Sequence, residues 1–184
     1  MNEKLPSAQK ALNLLSERGC SNSVIAHCVA VSALAVKFAE DCKKKGLDVD
    51  VDLVEVGALL HDIGRSKTHG VTHAVVGVEL AKSLNLPESV VSIIERHIGG
   101  GIAADEAKEL GLPVKDYFPT TLEEKLVAYA DKLIEGCRVV PIERTVEKLS
   151  RELGENHSAI DRIIRLHEEL FTLIGDLNAD SYSA

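Results

Sequence analysis

The sequence predicts an all-α protein of eight to ten helices, and three features of its 184 residues support this prediction. Apolar residues recur at intervals of three and four along most of the chain, which is the spacing of one face of an α-helix. No stretch shows the strict alternation of apolar and polar residues that indicates a half-buried strand. Cap residues, namely Ser or Asp before and Gly after the apolar stretches, divide the chain into segments of helical length.

The first two predicted helices lie before residue 46. The first, AQKALNLLSERG, follows Pro6 and is closed by Gly19. The second is long, is capped by Ser21 or Ser23, and extends to about Lys45. The lysines near its end are favourable because the carboxyl end of a helix carries partial negative charge.

Three further helices are predicted before residue 100. Asp50 or Asp52 caps the third, which ends at the stretch HDIG, where Gly64 is expected to stop it. Thr72 opens the fourth, HAVVGVELAKSL, and Pro87 stands near the start of the fifth, LPESVVSIIERHIGGG.

The remainder of the chain is predicted to be helical, apart from irregular stretches at about 65–71 and 99–120. One short and three longer helices are expected: ADEAKELG, TTLEEKLVAYADKLIEG, PIERTVEKLSRELG and NHSAIDRIIRLHEELFTLIG. The final residues, NADSYSA, are expected to fray.

Length, net charge, apolar runs and cysteine spacing limit the classes of protein to which the chain can belong. We expect residues 1–184 to form a single domain. The formal net charge of −8, without a basic block, argues against extended nucleic-acid binding and against binding to a membrane surface. No apolar signal-peptide core is present at the start, and no apolar run is expected to span a membrane. With four scattered cysteines and no CxxC spacing, we expect a cytoplasmic protein with reduced thiols.

The stretch HDIG places an imidazole and a carboxylate at the end of an apolar helix. His61 and Asp62 directly follow VGALL. The last carbonyl groups of a helix have no partner within it, so a cation is favoured near them. Taken alone, the pair fits either a solvated helix end or a metal site.

Four other residues occupy similar positions on separate predicted helices. His27 lies on an apolar stripe, and His97 precedes three glycines. His73 begins a helix in which Gly77, four residues later, leaves room for a backbone or a ligand. Asp131 lies on an apolar face, where an unpaired carboxylate would be costly. With His61 and Asp62 they form a nitrogen and oxygen donor set suited to one or two divalent ions of Mn, Fe, Co, Ni or Zn.

These motifs resemble the HD-domain superfamily of metal-dependent phosphohydrolases, over about residues 21–136. The resemblance rests on His27, the HD pair of HDIG, the later ADKL, and the segment THAVVGVELAKSLNLPESVVSIIERH, which is similar to dinuclear HD proteins. The whole looks closest to an uncharacterised archaeal branch. It implies an HD-domain helical bundle, with residues 137–184 as a C-terminal helical extension packed on it.

The resemblance also implies a ligand set. His27, His61, Asp62 and Asp131 would hold one metal, and Asp62 would bridge to a second metal held by His73 and His97. The implied activity is hydrolysis of a phosphomonoester, phosphodiester or phosphoanhydride of a small molecule, with a nucleotide as the expected substrate, by a metal-activated hydroxide that Asp62 orients.

Other residues are expected to serve the substrate. Arg65, Lys67 and Arg96 would meet the phosphate, since guanidinium and ammonium groups bind phosphate oxygens. His69 would donate a proton to the leaving group, and Lys132 would reach the substrate. His157 and His167 lie outside the matched region, and we expect them to be structural or exposed.

Two other functions remain open. The same ligand set resembles that of di-iron oxygenases of this superfamily, which cleave C–C or C–P bonds with O₂. The second alternative is a non-catalytic nucleotide-binding or regulatory module whose metal site is structural. The ligands alone do not separate these functions from hydrolysis.

Overall fold

The structure is a computed structural model that describes residues 4–175. Over this range it contains nine α-helices, one 3-10 helix and a single small hairpin, so the all-α prediction is confirmed. The helices are α1 Ala8–Arg18, α2 Asn22–Lys44, α3 Val51–Leu60, α4 His73–Ser83, α5 Glu88–Arg96, α6 Ala104–Glu109, α7 Leu122–Lys132, α8 Ile142–Leu153 and α9 Ser158–Ile174. The predicted fraying of NADSYSA lies outside the described residues.

The hairpin was not predicted. Strands β1 (Ile134–Glu135) and β2 (Arg138–Val139) pair antiparallel directly after α7. Each strand has two residues, which is too short for alternation to appear in the sequence. The hairpin places the carbonyl of Gly136 near the N-terminal part of α2, where it accepts from the side chain of His27.

Side-chain caps fix where several helices begin. Ser21 accepts a hydrogen bond from the backbone N–H of Val24, and Asp50 accepts one from that of Leu53. The predicted alternatives, Ser23 and Asp52, instead lie inside their helices. Each cap satisfies a donor that has no partner within the first helical turn.

Two apolar clusters meet at α3. One joins α3 to α2, α7 and α9, and the other joins it to α1, α4 and α5. Val54 and Ala58 of α3 lie in the first cluster, whereas Leu59 and Leu60 lie in the second. The end of α3 is therefore held from both sides, and the two residues that follow it, His61 and Asp62, are buried between the surrounding helices.

The prediction that Gly64 stops the third helix was wrong. Helix α3 already ends at Leu60, and Gly64 lies within the 3-10 helix Ile63–Ser66, which packs on α4. A Cβ at Gly64 would stand 1.9 Å from the carbonyl oxygen of His73 and 2.7 Å from the backbone nitrogen of Gly77. Gly64 and Gly77 therefore allow two backbones to touch, which confirms the close approach expected at Gly77.

The expectation about membrane-spanning length needs correction for α2. At 23 residues, this helix is long and apolar enough to cross a membrane by length and composition alone. Val31, Ala35, Phe38 and Cys42 of α2 are nevertheless fully buried against other helices of the protein. A core helix passes the same criterion, so its length is explained by packing.

The cysteines divide into two groups. Cys20, Cys28 and Cys42 are buried and unpaired, whereas Cys137 is exposed at the hairpin. Burial raises the pKa of Cys20 to about 11, which keeps its thiol protonated and unreactive.

Candidate metal centre

The six predicted metal ligands meet at one point of the structure. His27 comes from α2, His61 and Asp62 follow α3, His73 is the first residue of α4, His97 follows α5, and Asp131 belongs to α7. His61, Asp62, His73 and His97 are each at most 4% exposed. The residues that the sequence grouped as candidate ligands therefore lie close together in space.

Asp62 lies between two groups of imidazoles. Its Oδ1 is 3.0 Å from Nε2 of His73 and 3.5 Å from Nε2 of His97. Its Oδ2 is 3.7 Å from Nε2 of His61 and 4.0 Å from Nε2 of His27. Each carboxylate oxygen therefore faces a different pair of histidines, which is the arrangement that a bridging ligand needs.

Asp131 completes the first group. Its Oδ1 is 2.9 Å from Nε2 of His27 and 3.5 Å from Nε2 of His61. The ligand atoms of His27, His61 and Asp131 all lie within 4.8 Å of one another, as do those of His61, Asp62 and His97. Each of these two sets, which share His61, is compact enough to surround one ion.

Backbone carbonyls orient all four imidazoles in the same way. Nδ1 of His61 lies 2.7 Å from the oxygen of Ala58, Nδ1 of His73 lies 2.7 Å from Gly70, and Nδ1 of His97 lies 2.7 Å from Ile94. For His27 the partner is Gly136, at 3.2 Å. Because a carbonyl oxygen only accepts, each Nδ1 must carry the proton, and Nε2 is left with its lone pair toward the cluster.

This arrangement of protons favours a cation at the centre. Nε2 of His73 and Nε2 of His97 are 2.9 Å apart, and two lone pairs at that distance repel one another. Nε2 of His61 and Oδ1 of Asp62 are buried without a hydrogen-bond partner in the part of the chain that the structure describes. A metal ion in each group would satisfy these atoms, so the residues fit a pair of divalent transition metals.

The electrostatics of the centre also favour a cation. Burial would raise the pKa of Asp131, but Lys132 and His27 hold it well below its usual range. Asp62 behaves likewise, since His61 and His73 outweigh burial and lower its pKa. Burial lowers the pKa of His97 to about 4, which keeps that ring uncharged. The centre therefore holds two ionised carboxylates and the uncharged ring of His97.

His61 shows how strongly the two carboxylates attract positive charge. Burial by itself would lower its pKa, yet Asp62 raises that pKa well above the usual value, with a further contribution from Asp131. A proton on His61 and a metal ion thus compete for the same position.

Two of the predicted substrate-contacting residues border the centre. Arg65 donates from Nε to Oδ2 of Asp62 at 2.5 Å, and Lys132 lies 2.5 Å from Oδ2 of Asp131. Lys132 therefore pairs with its neighbour in the chain. Each cation contacts the carboxylate oxygen of a proposed ligand.

The other predicted substrate residues lie further away. Arg96 is held by Glu124, with Nη1 3.0 Å from Oε1, and also donates to Thr120. Lys67 and His69 are exposed, and the backbone oxygen of His69 accepts from Arg65. The substrate roles of Arg96, Lys67 and His69 stay predictions.

A cavity of about 600 Å³ opens beside the centre. His27, Asp131, Arg65 and Lys132 form its metal end, whereas His61, Asp62, His73 and His97 lie behind this surface. A substrate would therefore approach the centre from the side of His27 and Asp131.

Most of the remaining cavity wall was not foreseen. Part of it comes from the predicted irregular stretch, including Gly99, Ile102 and Glu106. Another part comes from Lys148 of α8 and from His157, which directly precedes α9. His157 was expected to be structural or exposed; it caps α9 by accepting from the N–H of Ala159, and it also lines the cavity. Nothing in the sequence identified these residues, since their proximity depends on how the last two helices pack.

Comparisons with known proteins show the family of this chain. The family model described as "HD domain" matches residues 24–136. An uncharacterised protein of Methanocaldococcus jannaschii is 52% identical over 166 residues, which is 90% of this chain and 98% of that protein. The HD domain of the L. monocytogenes phosphodiesterase PgpH, crystallised with cyclic-di-AMP, has a TM-score of 0.49 at 18% identity and covers 92% of this chain and 99% of that chain.

Two longer proteins contain a related segment. A tRNA (cytidine(56)-2'-O)-methyltransferase of Picrophilus torridus is 41% identical over 93% of this chain and 48% of its own length. A ribonuclease Y of Syntrophomonas wolfei is 31% identical over 85% of this chain and 28% of its own length. The chain spans about half of the methyltransferase and about a quarter of the ribonuclease. With the family model matching more than half of the chain and the six ligands assembled in one centre, the protein belongs to the HD-domain family.

Proposed function

We propose that the protein is a metal-dependent phosphohydrolase that hydrolyses a phosphate ester or anhydride of a small molecule. One observation carries the proposal: Asp62 directs one carboxylate oxygen at His73 and His97 and the other at His27 and His61. A carboxylate placed between two nitrogen-rich groups is suited to bridging a pair of metal ions.

The ligands divide between two metals as the family resemblance implies. His27, His61, Asp62 and Asp131 would hold one, while His73 and His97 would hold the other together with Asp62. When bound, such a metal pair lowers the pKa of a water molecule and polarises a phosphoryl oxygen. Mn, Fe, Co, Ni and Zn all suit these donors.

The protein's own cations would position the phosphate. Arg65 and Lys132 both line the cavity at its metal end. In the structure they neutralise Asp62 and Asp131, and a metal at those carboxylates would take over that role. The two side chains would then be available to phosphoryl oxygens, for which a guanidinium group offers two parallel donors.

The cavity supports a small substrate. A volume of about 600 Å³ lies within the range of roughly 300–1,000 Å³ that is usual for small-molecule sites, and a mononucleotide fits such a space. The net charge of −8 opposes binding along an extended nucleic acid. Because two relatives are named for reactions on RNA, a short RNA belongs among the compounds to be tested.

The proposal is tested with protein purified without added metal. Elemental analysis identifies the bound ions, and a panel of phosphomonoesters, diesters, nucleoside triphosphates and a short RNA is then assayed with and without O₂. We expect metal-dependent phosphate release from a small substrate that is the same under both atmospheres.

Two results would contradict the proposal. Turnover that requires O₂, together with two irons per chain, would make the protein an oxygenase. Tight binding of nucleotides without turnover under any metal would make it a binding module.

A further inference from the structure

His157 of the C-terminal extension lies on the cavity wall, outside the residues that match the HD-domain model. It directly precedes α9 and lines the same cavity as Arg65, His27, Asp131 and Lys132, which form the metal end. The metal centre does not explain this histidine, since none of the six ligands contacts it among the described residues.

The tautomer of His157 is fixed by a backbone group. The N–H of Ala159 donates to Nδ1 of His157 at 3.2 Å. A backbone N–H only donates, so Nδ1 must be unprotonated, and in the neutral ring the proton lies on Nε2. No partner for this Nε2–H exists in the part of the chain that the structure describes. The residue thus offers one oriented donor at the cavity.

The start of α9 is firmly anchored. Glu106 of α6 accepts from the hydroxyl of Ser158 and, at 2.8 Å, pairs with Nη2 of Arg162. Its Oε2 also accepts from the backbone N–H of Ala103. Because Ser158 directly follows His157, these bonds hold the imidazole in place relative to the cavity.

The surroundings of His157 are suited to a flat organic group. Ile102, Leu149 and Ile163 supply aliphatic surface to the same cavity, and Lys148 lines it without an ion-pair partner among residues 4–175. Aliphatic walls favour an apolar ring system, and an isolated donor among them favours a ring that carries an acceptor.

We propose that His157 is a specificity-determining residue, whose Nε2–H donates to a ring nitrogen or carbonyl oxygen on the organic part of the substrate while the phosphate lies at the metal end. The inference deepens the proposed function and rests on it for the position of the phosphate. The ligand class is a phosphorylated heterocycle, such as a nucleoside monophosphate.

Two substitutions separate this role from capping of α9. His157→Asn keeps an acceptor for the N–H of Ala159, and Asn is a favourable N-cap residue, but its side chain is too short to replace Nε2. His157→Gln places an amide N–H near the position of Nε2 and forms a poorer cap. Glu155→Gln, at an exposed position in the same connection, is the control.

The test measures binding, so that it does not depend on turnover. Metal-loaded protein is titrated by calorimetry with the 5′-methylenephosphonates of adenosine and uridine, which cannot be hydrolysed at the ester, and with inorganic phosphate. We expect His157→Asn to weaken nucleoside phosphonate binding by about 3- to 10-fold, the usual effect of losing one hydrogen bond. His157→Gln should recover most of this loss, and Glu155→Gln should bind as the wild type does.

Nuclear magnetic resonance of the imidazole nitrogens gives a second readout. The Nε2 signal of His157 should shift on addition of a nucleoside phosphonate and stay in place on addition of inorganic phosphate. A purely structural histidine would respond equally to both probes.

Two outcomes overturn the inference: His157→Asn binds the nucleoside phosphonates as tightly as the wild type, or the wild type binds neither phosphonate. Failure of the proposed function looks different. In that case the phosphonates bind and depend on His157, but the wild type releases phosphate from no ester or anhydride.

Discussion

At the scale of single residues, the metal centre depends on the buried charge of Asp62. Its carboxylate is only 3% exposed and faces imidazole nitrogens whose protons are held on the far side of each ring by backbone carbonyls. Such a carboxylate is costly to bury unless a cation or a donor accompanies it. The folded protein therefore strongly favours a positive charge beside the carboxylate of Asp62.

Replacing Asp62 with Asn should abolish metal binding while preserving the fold. The amide of Asn has nearly the shape of the carboxylate, and its N–H groups can donate to the Nε2 lone pairs that a metal would otherwise satisfy. We expect elemental analysis to find little bound metal in Asp62→Asn and phosphate release to be lost with it.

The matched control is Asp48→Asn, because Asp48 is exposed and distant in sequence from the proposed ligands. Thermal unfolding provides the second measurement. Metal at about 100 times its Kd should stabilise the wild type and the control by about 2.7 kcal/mol, and should leave Asp62→Asn unaffected. Full metal content in Asp62→Asn would show that Asp62 is not a ligand.

At the scale of elements, the centre requires the 3-10 helix and α4 to touch. Gly64 and Gly77 form this contact, and it fixes the distance between Asp62 at one end of the 3-10 helix and His73 at the start of α4. Side chains can change rotamer to relieve crowding, but two backbones cannot.

Gly64→Ala should therefore be strongly destabilising. The added Cβ would stand 1.9 Å from the carbonyl oxygen of His73, and separating the two elements should cost about 3 kcal/mol of unfolding free energy. Gly70→Ala is the control, since a Cβ at Gly70 would meet the hydroxyl of Thr72 at an ordinary contact distance of 3.9 Å. Chemical denaturation of both variants measures the difference. Equal stability of the two would mean that α4 does not pack on Gly64.

The elements that the sequence predicted are those with local signals. Ser21 and Asp50 cap helices because their side chains bond to backbone groups three residues away, an interaction that neighbouring residues alone determine. The β1–β2 hairpin has only two pairs of residues, so it left no pattern. Gly64 was recognised as important, but its role depends on α4, which no local pattern reveals.

At the scale of the whole molecule, the metal centre has local signals in the sequence, whereas most of the cavity wall has none. The six proposed ligands could be singled out in the sequence because each stands at a helix end or on an apolar face, where an unpaired polar side chain is costly. Lys148 and His157 lie on polar or irregular stretches that are ordinary for a surface. Their place on the cavity wall follows only from the packing of α8 and α9.

That packing makes the C-terminal extension a part of the core. Leu166, Leu170 and Ile174 of α9 lie in the same apolar cluster as Tyr129 of α7, and the hydroxyl of Tyr129 is 2.5 Å from Nδ1 of His167. Helix α8 differs, since it has no fully buried residue. We therefore expect α9 to unfold together with the region that matches the family model, although the matched region ends at residue 136.

Two leucines of the extension test this cooperativity. Leu170 is fully buried, so Leu170→Ala should lower the free energy of unfolding by about 2–5 kcal/mol. Leu153 of α8 is 46% exposed, so Leu153→Ala should change the free energy of unfolding by no more than about 0.5 kcal/mol. The chain has no Trp, so fluorescence reports on its three tyrosines, which include the buried Tyr117 and Tyr129, and circular dichroism reports on all helices. The two signals should change in one transition at the same denaturant concentration for each variant. If Leu170→Ala instead loses part of its helical signal before the Tyr signal changes, α9 is an independent unit and the wall that carries His157 can detach from the metal centre.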